Sequence, residues 1–284
     1  MEFGTFDRDI PVAMCNARIL ESGHRRVWRV PKTSWLVEEH IFRETSRKQP
    51  QHANLPAAII LATNTLTPKE SGNSEFDKEQ IVRKLSRAAA CELDIRAILS
   101  YLKPEAEQKE IYLRHKSTTN HVVSAAAYLG DLSFFEKLYP QHENIDSSEN
   151  IYFGNPLRCA ILQGHLDLVR FMLDQNVDVN KAGSGTGFGS TALEAAASSG
   201  RRDLVDLILE PEYGCTISGE NFENAVLEAA SAGHLTMVRH LIQRFAMDVT
   251  LELSNHPLME ACKRGVDLPD RSICELVVGS NVLD

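Results

Sequence analysis

Few residues of this 284-residue chain could do chemistry, and their spacing argues against most of what they could do. The densest glycine stretch, Gly183-Ser184-Gly185-Thr186-Gly187-Phe188-Gly189, has the composition of a phosphate cradle. It contains no G-x-G-x-x-G register and no Gly-Lys-Ser/Thr follows, so the backbone amides that grip a pyrophosphate are not set up there. It reads as a lengthened, flexible loop. His165 and His234 each follow a glycine that recurs along the chain, and that recurrence accounts for them. His121, His240 and His256 stand alone, with no H-E-x-x-H or C-x-x-C pattern to hold zinc. The six cysteines, 15, 91, 159, 215, 262 and 274, form no close pair and read as free thiols of a reducing compartment. Cys159 and Cys262 lie where small core residues are expected. No nucleophile, base and orienting group can be assembled, so the sequence predicts no catalytic residue, no metal ligand and no cofactor.

Composition narrows the class further. Apolar residues make up 43% and charged residues 24%, the balance of a folded, soluble chain. The longest uncharged apolar run, Leu55 to Ala62, is 8 residues, against the ~18 that span a bilayer. The first residues carry Glu2, Asp7 and Asp9 and lack the basic and apolar regions of a secretory signal, so an intracellular location, cytoplasm or nucleus, is expected. Net charge is −9, and residues 81–284 hold all of the deficit, with 19 basic and 28 acidic groups against 11 and 11 in residues 1–80. A surface of that sign repels phosphate backbones, which argues against direct nucleic-acid binding by the C-terminal two thirds.

The elements that position these residues come from an internal repeat. Glycines at 130, 164, 200, 233 and 265 are spaced 34, 36, 33 and 32 residues apart. Seven residues before each is Val123, Leu157, Leu193, Val226 or Leu258, and four before each is Ala126, Ala160, Ala196, Ala229 or Ala261. The alanine column predicts a short helix that meets another backbone too closely for a larger side chain. The glycine closes that helix, where positive φ is cheap. After it, Leu168, Val169, Met172 and Leu173, and likewise Leu204, Val205, Ile208 and Leu209, have the spacing of a second helix. Such a hairpin is too thin to bury both apolar faces, so copies must stack.

The unit Asn155-Pro156-Leu157-Arg158-Cys159-Ala160, then Gly164-His165-Leu166-Asp167-Leu168-Val169, then Asp178-Val179-Asn180, resembles the ankyrin repeat, with its period near 33 and its T-P-L-H-x-A opening. Thr191-Ala192-Leu193-Glu194-Ala195-Ala196 and Gly233-His234-Leu235 repeat parts of it. Tyr152-Phe153-Gly154-Asn155, Phe188-Gly189 and Phe222-Glu223 are similar to the variant found in ankyrin arrays of filamentous fungi. The family histidine is replaced by Ser124, Arg158, Glu194, Leu227 and Met259, which predicts weaker turn-fixing hydrogen bonds. The resemblance implies an all-α, ankyrin-repeat solenoid of stacked helical hairpins with a poorly ordered N-terminal extension.

Residues 119–284 form the expected array, and residues 81–118 a helical cap or degenerate repeat in which Cys91 or Glu92 replaces the glycine. The extra residues Val266 to Ser272 make the last unit irregular. Residues 1–80 carry no repeat, and the cluster from Thr67 to Ser74 reads as a linker. Between Arg18 and Lys48 lie 8 basic and 4 acidic residues with Trp28 and Trp35. They are not spaced to share one face and match no DNA-reading motif, so the stretch reads as solvated and partly ordered. Leu55 to Ala62 fits a short strand or a helix.

The resemblance implies that function lies on the surface of the stack, where loop fingers and the open side of the first helices line a concave groove. The residues expected there, as contacts to a protein partner, are Tyr152, Phe153, Phe188, Asn221 and Phe222 on the fingers, and Leu162, Gln163, Ser198, Ser199, Ser231 and Arg264 near the helix ends. The aromatic residues admit two roles, as interface anchors or as packing between adjacent fingers. The expectation is a monomeric, non-catalytic adaptor or transcription co-regulator that holds another protein, in one version a DNA-bound transcription factor, without touching DNA or membrane. A cytoplasmic scaffold, or an enzyme accessory subunit with the repeats as a docking arm, is the alternative.

Overall fold

The computed structural model describes residues 34–47, 54–67, 74–93, 95–103, 118–138, 151–181, 191–216 and 219–245. Among these there are twelve α-helices, one 3-10 turn and no strand. The described residues up to Ala160 form one compact unit and those from Ile161 onward a second.

The first unit begins with α1 (Ser34–Ser46), α2 (Asn54–Leu66), α3 (Ser74–Glu92) and α4 (Ile95–Tyr101), followed by the hairpin α5 (Thr118–Leu129) and α6 (Leu132–Leu138) and the opening turns of α7 (Pro156–Gln163). Helix α1 packs along α3, and α2 packs on α3 and on α5. The stretch read as solvated therefore carries a packed helix from Ser34 on, with Val37 and Ile41 buried. Arg83 ties α3 to α1 twice, by an ion pair to Glu39 at 3.4 Å and by stacking 3.8 Å above the Phe42 ring. Leu55 to Ala62 is helical, and Leu55, Ile59 and Ala62 are wholly buried. Pro56 is tolerated there because the first turn of a helix has amide groups without partners in any case. The boundary expected at residue 80 falls inside α3, which runs unbroken to Glu92. Residues 1–33 of the expected N-terminal segment lie outside the described residues, as do Phe188, Arg264 and everything after Phe245.

The second unit contains α8 (Leu166–Asp174), α9 (Ala192–Ser199), α10 (Arg202–Ile208), the 3-10 turn Pro211–Tyr213, α11 (Gly219–Ser231) and α12 (Leu235–Phe245). Helix α9 lies along α11, each pairs with the helix that follows it, and α8 touches α10. This is the stacked-hairpin arrangement the sequence predicts. Ala126, Ala160, Ala196 and Ala229 have no exposed surface. The closing glycines 130, 164, 200 and 233 all have positive φ, between 70° and 82°. Leu168, Val169, Met172 and Leu173 are buried on α8, as are Leu204, Val205 and Ile208 on α10. Burying one such aliphatic side chain is worth ~2 kcal/mol, and each short helix contributes three or four.

Candidate protein-binding surface

The first helices start at capped positions. Thr191 Oγ1 accepts the Glu194 amide at 3.3 Å, and Asn155 Oδ1 accepts the Arg158 amide at 3.3 Å. Both are N-caps, and the Thr191/Glu194 spacing is that of a capping box. The helices are thus fixed in register from their first turn, which sets where their far ends emerge.

In three units the position at which the family carries histidine holds a polar side chain, Ser124, Arg158 or Glu194, each of them engaged. Ser124 has no exposed surface and its Oγ donates to the Gly154 carbonyl at 2.8 Å, a bond from the first helix of one repeat to the turn that opens the next. Arg158 pairs with Glu92, and the side chains keep only 14% and 5% of their exposure. Burial opposes both charges. The Glu92 carboxyl stands above the ordinary carboxylate range because burial outweighs the pull of Arg158. On Arg158 burial is the largest single influence and works against the charge, but the charge and hydrogen bond of Glu92 together with the nearby Cys159 and Cys91 outweigh it and hold the guanidinium charged. The Glu194 carboxyl is pushed up by burial and by the charge of Glu228, against hydrogen bonds from Asn224 and Thr191. At position 124 the serine still bonds a turn carbonyl, and at 158 the arginine bonds Glu92 of α3. Both supply ties between parts of the chain 30 and 66 positions apart.

The residues after two of the closing glycines, Arg201 and His234, make a second set of ties. Arg201 Nη1 donates to the Gly164 carbonyl at 2.7 Å, and a Cβ on Gly200 would lie 2.6 Å from Nδ1 of His234. One repeat thereby rests a cationic or imidazole side chain on the bare backbone of the repeat before it. His234 has this packing role, as the repeat rule suggested. The loops are joined as well. Asn180 Nδ2 donates to the Gly214 carbonyl at 2.9 Å, and the Thr216 amide donates to Asn180 Oδ1 at 2.6 Å. Tyr213 donates to Asp174 at 2.9 Å, and desolvation with this bond pushes its phenol up to about 12. Asn180, Tyr213 and Gly214 help to wall an open depression of about 430 Å³ edged by Asp174, Asp178 and Glu212.

A family model described as ankyrin repeats (3 copies) matches residues 123–221. The chain carries an ankyrin-repeat array. No curated protein matches it. The hairpin α11–α12, most of which lies past the matched span, keeps the ankyrin features, with Ala229 fully buried and Gly233 at φ +82°. Ankyrin repeats are a protein–protein interaction module, and no described helix is long and apolar enough to cross a membrane.

Against this frame the expected surface residues divide. Tyr152, Phe153 and Phe222 are 3%, 1% and 3% exposed, so they cannot be free contacts for a partner as expected. Tyr152 packs edge-on to Tyr101 at 5.0 Å and against His121 at 4.8 Å, and Phe153 lies beside it. Aromatic rings in a loop bury where neighbouring elements offer faces, and here α4 and α5 offer them. Gln163 is exposed, and Leu162, Ser198, Ser199 and Asn221 are half-buried. Ser198 and Ser199 donate to the carbonyls of Ala195 and Ala196 within their own helix. The side chain of Ser231 and all of Phe188 and Arg264 lie outside the described residues. Glu92 and Asn180 tie the array without being among the residues expected from sequence, and the sequence signal for Glu92 is a charged residue at the place of a closing glycine.

Chemistry of another kind is poorly supplied. No group of three or more His, Cys, Asp or Glu placed to hold a metal occurs among the described residues. Cys159 is buried, donates its S–H to the Phe153 carbonyl at 2.8 Å, and has its thiol pushed well up by burial. A thiol so held is protonated and inert at neutral pH. Cys91, Cys159 and Cys215 are free, as expected for those three.

Proposed function

We propose that this ankyrin chain is a non-catalytic regulatory adaptor that holds a protein partner on the concave side of the array, along the ends of the first helices. One observation carries the reading. Gln163, Ser198 and Ser199 come at equivalent places, near the ends of two first helices, and retain exposure although no interior contact requires them. The serine hydroxyls are satisfied inside their own helix, so a partner would meet a surface the stack does not need for its own cohesion.

The negative balance of residues 81–284 favours a partner with a basic face over nucleic acid. A co-regulator bound to a DNA-binding protein is one such arrangement, and a cytoplasmic scaffold another. The test is to purify the tagged full chain with its bound proteins and rebuild the complex from the two purified components. A stable one-to-one complex is the expected result. Failure of every captured protein to bind the purified chain directly would remove the adaptor reading.

A further inference from the structure

Thr67-Pro68 is the one place in the sequence where serine or threonine precedes proline. Thr67 is the first residue past α2. Its amide donates to the Thr63 carbonyl at 2.9 Å and its hydroxyl donates to the same oxygen at 2.6 Å. A residue before proline is disfavoured in the helical region, which explains why α2 stops at Leu66. The last turn of α2 contains no basic side chain. The Thr63 carbonyl at this end is answered by Thr67 itself. Helix α2 packs through Leu55, Ile59, Ala62 and Leu66 and lies on α5, the helix in which the ankyrin match begins.

We propose that Thr67 is a phosphorylation site for a proline-directed serine/threonine kinase, and that the phosphate loosens α2 from the first ankyrin repeat. In the step, Thr67 Oγ1 attacks the γ-phosphorus of Mg-ATP. The new P–O bond forms as the bond to ADP breaks, the hydroxyl proton passes to the kinase's catalytic carboxylate, and ADP leaves. The modified oxygen has no hydrogen left to donate to Thr63. A phosphate bearing nearly two negative charges then sits at the negative end of the helix dipole with no cation in that turn to offset it.

The test incubates the folded full chain with a purified kinase of the mitogen-activated class and Mg-ATP. One phosphate on Thr67 is expected by intact mass and fragment mapping. Thr67→Ala loses it, Thr67→Ser, which keeps the acceptor hydroxyl, retains it, and Pro68→Ala labels slowly. In the phosphorylated chain the amides of Ile59 to Leu66 exchange with deuterium about fivefold faster, as expected from ~1 kcal/mol of lost helix-end stabilisation. No phosphate on Thr67 in the native chain overturns the site, and a phosphate that leaves exchange in α2 unchanged overturns its effect.

Discussion

Arg158, in the first turns of α7, closes on Glu92, the last residue of α3 and 66 positions earlier. The pair stands against Gly154, where a Cβ would come within 2.7 Å of the Glu92 carboxyl carbon and where φ is +81°. A glycine is needed there because the carboxylate occupies the space a side chain would take.

Removing one partner strands the other charge in the interior. Arg158→Met is expected to lower unfolding stability by about 3 kcal/mol, read from urea denaturation. Adding Glu92→Leu to it should recover much of the loss, because an apolar pair of similar size carries no desolvation cost. A double variant as weak as the single one would show that the pair supplies more than mutual neutralisation.

Gly200 combines a φ of 70° with the His234 ring of the next repeat. Gly200→Ala is expected to cost about 2 kcal/mol, part backbone strain and part displacement of the ring. Gly214, also at positive φ but with nothing within 4 Å of an added Cβ, should lose less on the same substitution. The difference between the two in thermal unfolding isolates the contact from the strain.

The alanine column tests the packing of first helices. Ala196 and Ala229 are fully buried on helices that lie side by side. Ala196→Leu should destabilise by about 2 kcal/mol through overpacking, while Ser199→Leu three positions on should change stability little. Equal costs at the two positions would mean that the helices are not in close contact at residue 196.

The thiols give the alkaline behaviour a sign. Burial pushes Cys215 up to about 11 and Cys159 further, whereas an unfolded thiol titrates near ~8.5. The raised folded values hold the protein's stability intact below the unfolded value. That contribution is lost as pH rises through the folded one, because the unfolded chain sheds protons first. Unfolding midpoints should be level from neutral pH to about 8 and fall between ~8.5 and 11. Cys159→Ser and Cys215→Ser together should reduce that fall, and Cys91, which burial also raises, accounts for part of what is left.

The ankyrin hairpins were legible because their determinants are local and tolerate few substitutes. Only alanine fits the contact at 126, 160, 196 and 229, and glycine takes the backbone at 130, 164, 200 and 233 without strain. Helices α1 and α2 were not, because their buried faces are diluted with His40, Thr45 and Thr63, side chains that read as solvated in a sequence. The threonines enter the interior by donating to carbonyls one turn back, Ile41 and Ile59. Phe222, expected on a finger, lies inside α11, and the aromatics at 152 and 153 failed as surface residues for another reason. Whether a loop ring faces solvent depends on distant elements, as Tyr152 depends on Tyr101 and His121, and no local pattern encodes that.

Binding along the first-helix ends is read from the affinity of the purified partner for the full chain, with and without Gln163→Arg, Ser198→Arg and Ser199→Arg together. The triple variant should have a Kd about tenfold higher, a loss of ~1.4 kcal/mol, with an unchanged urea midpoint. Equal affinity in a variant that folds normally would contradict it.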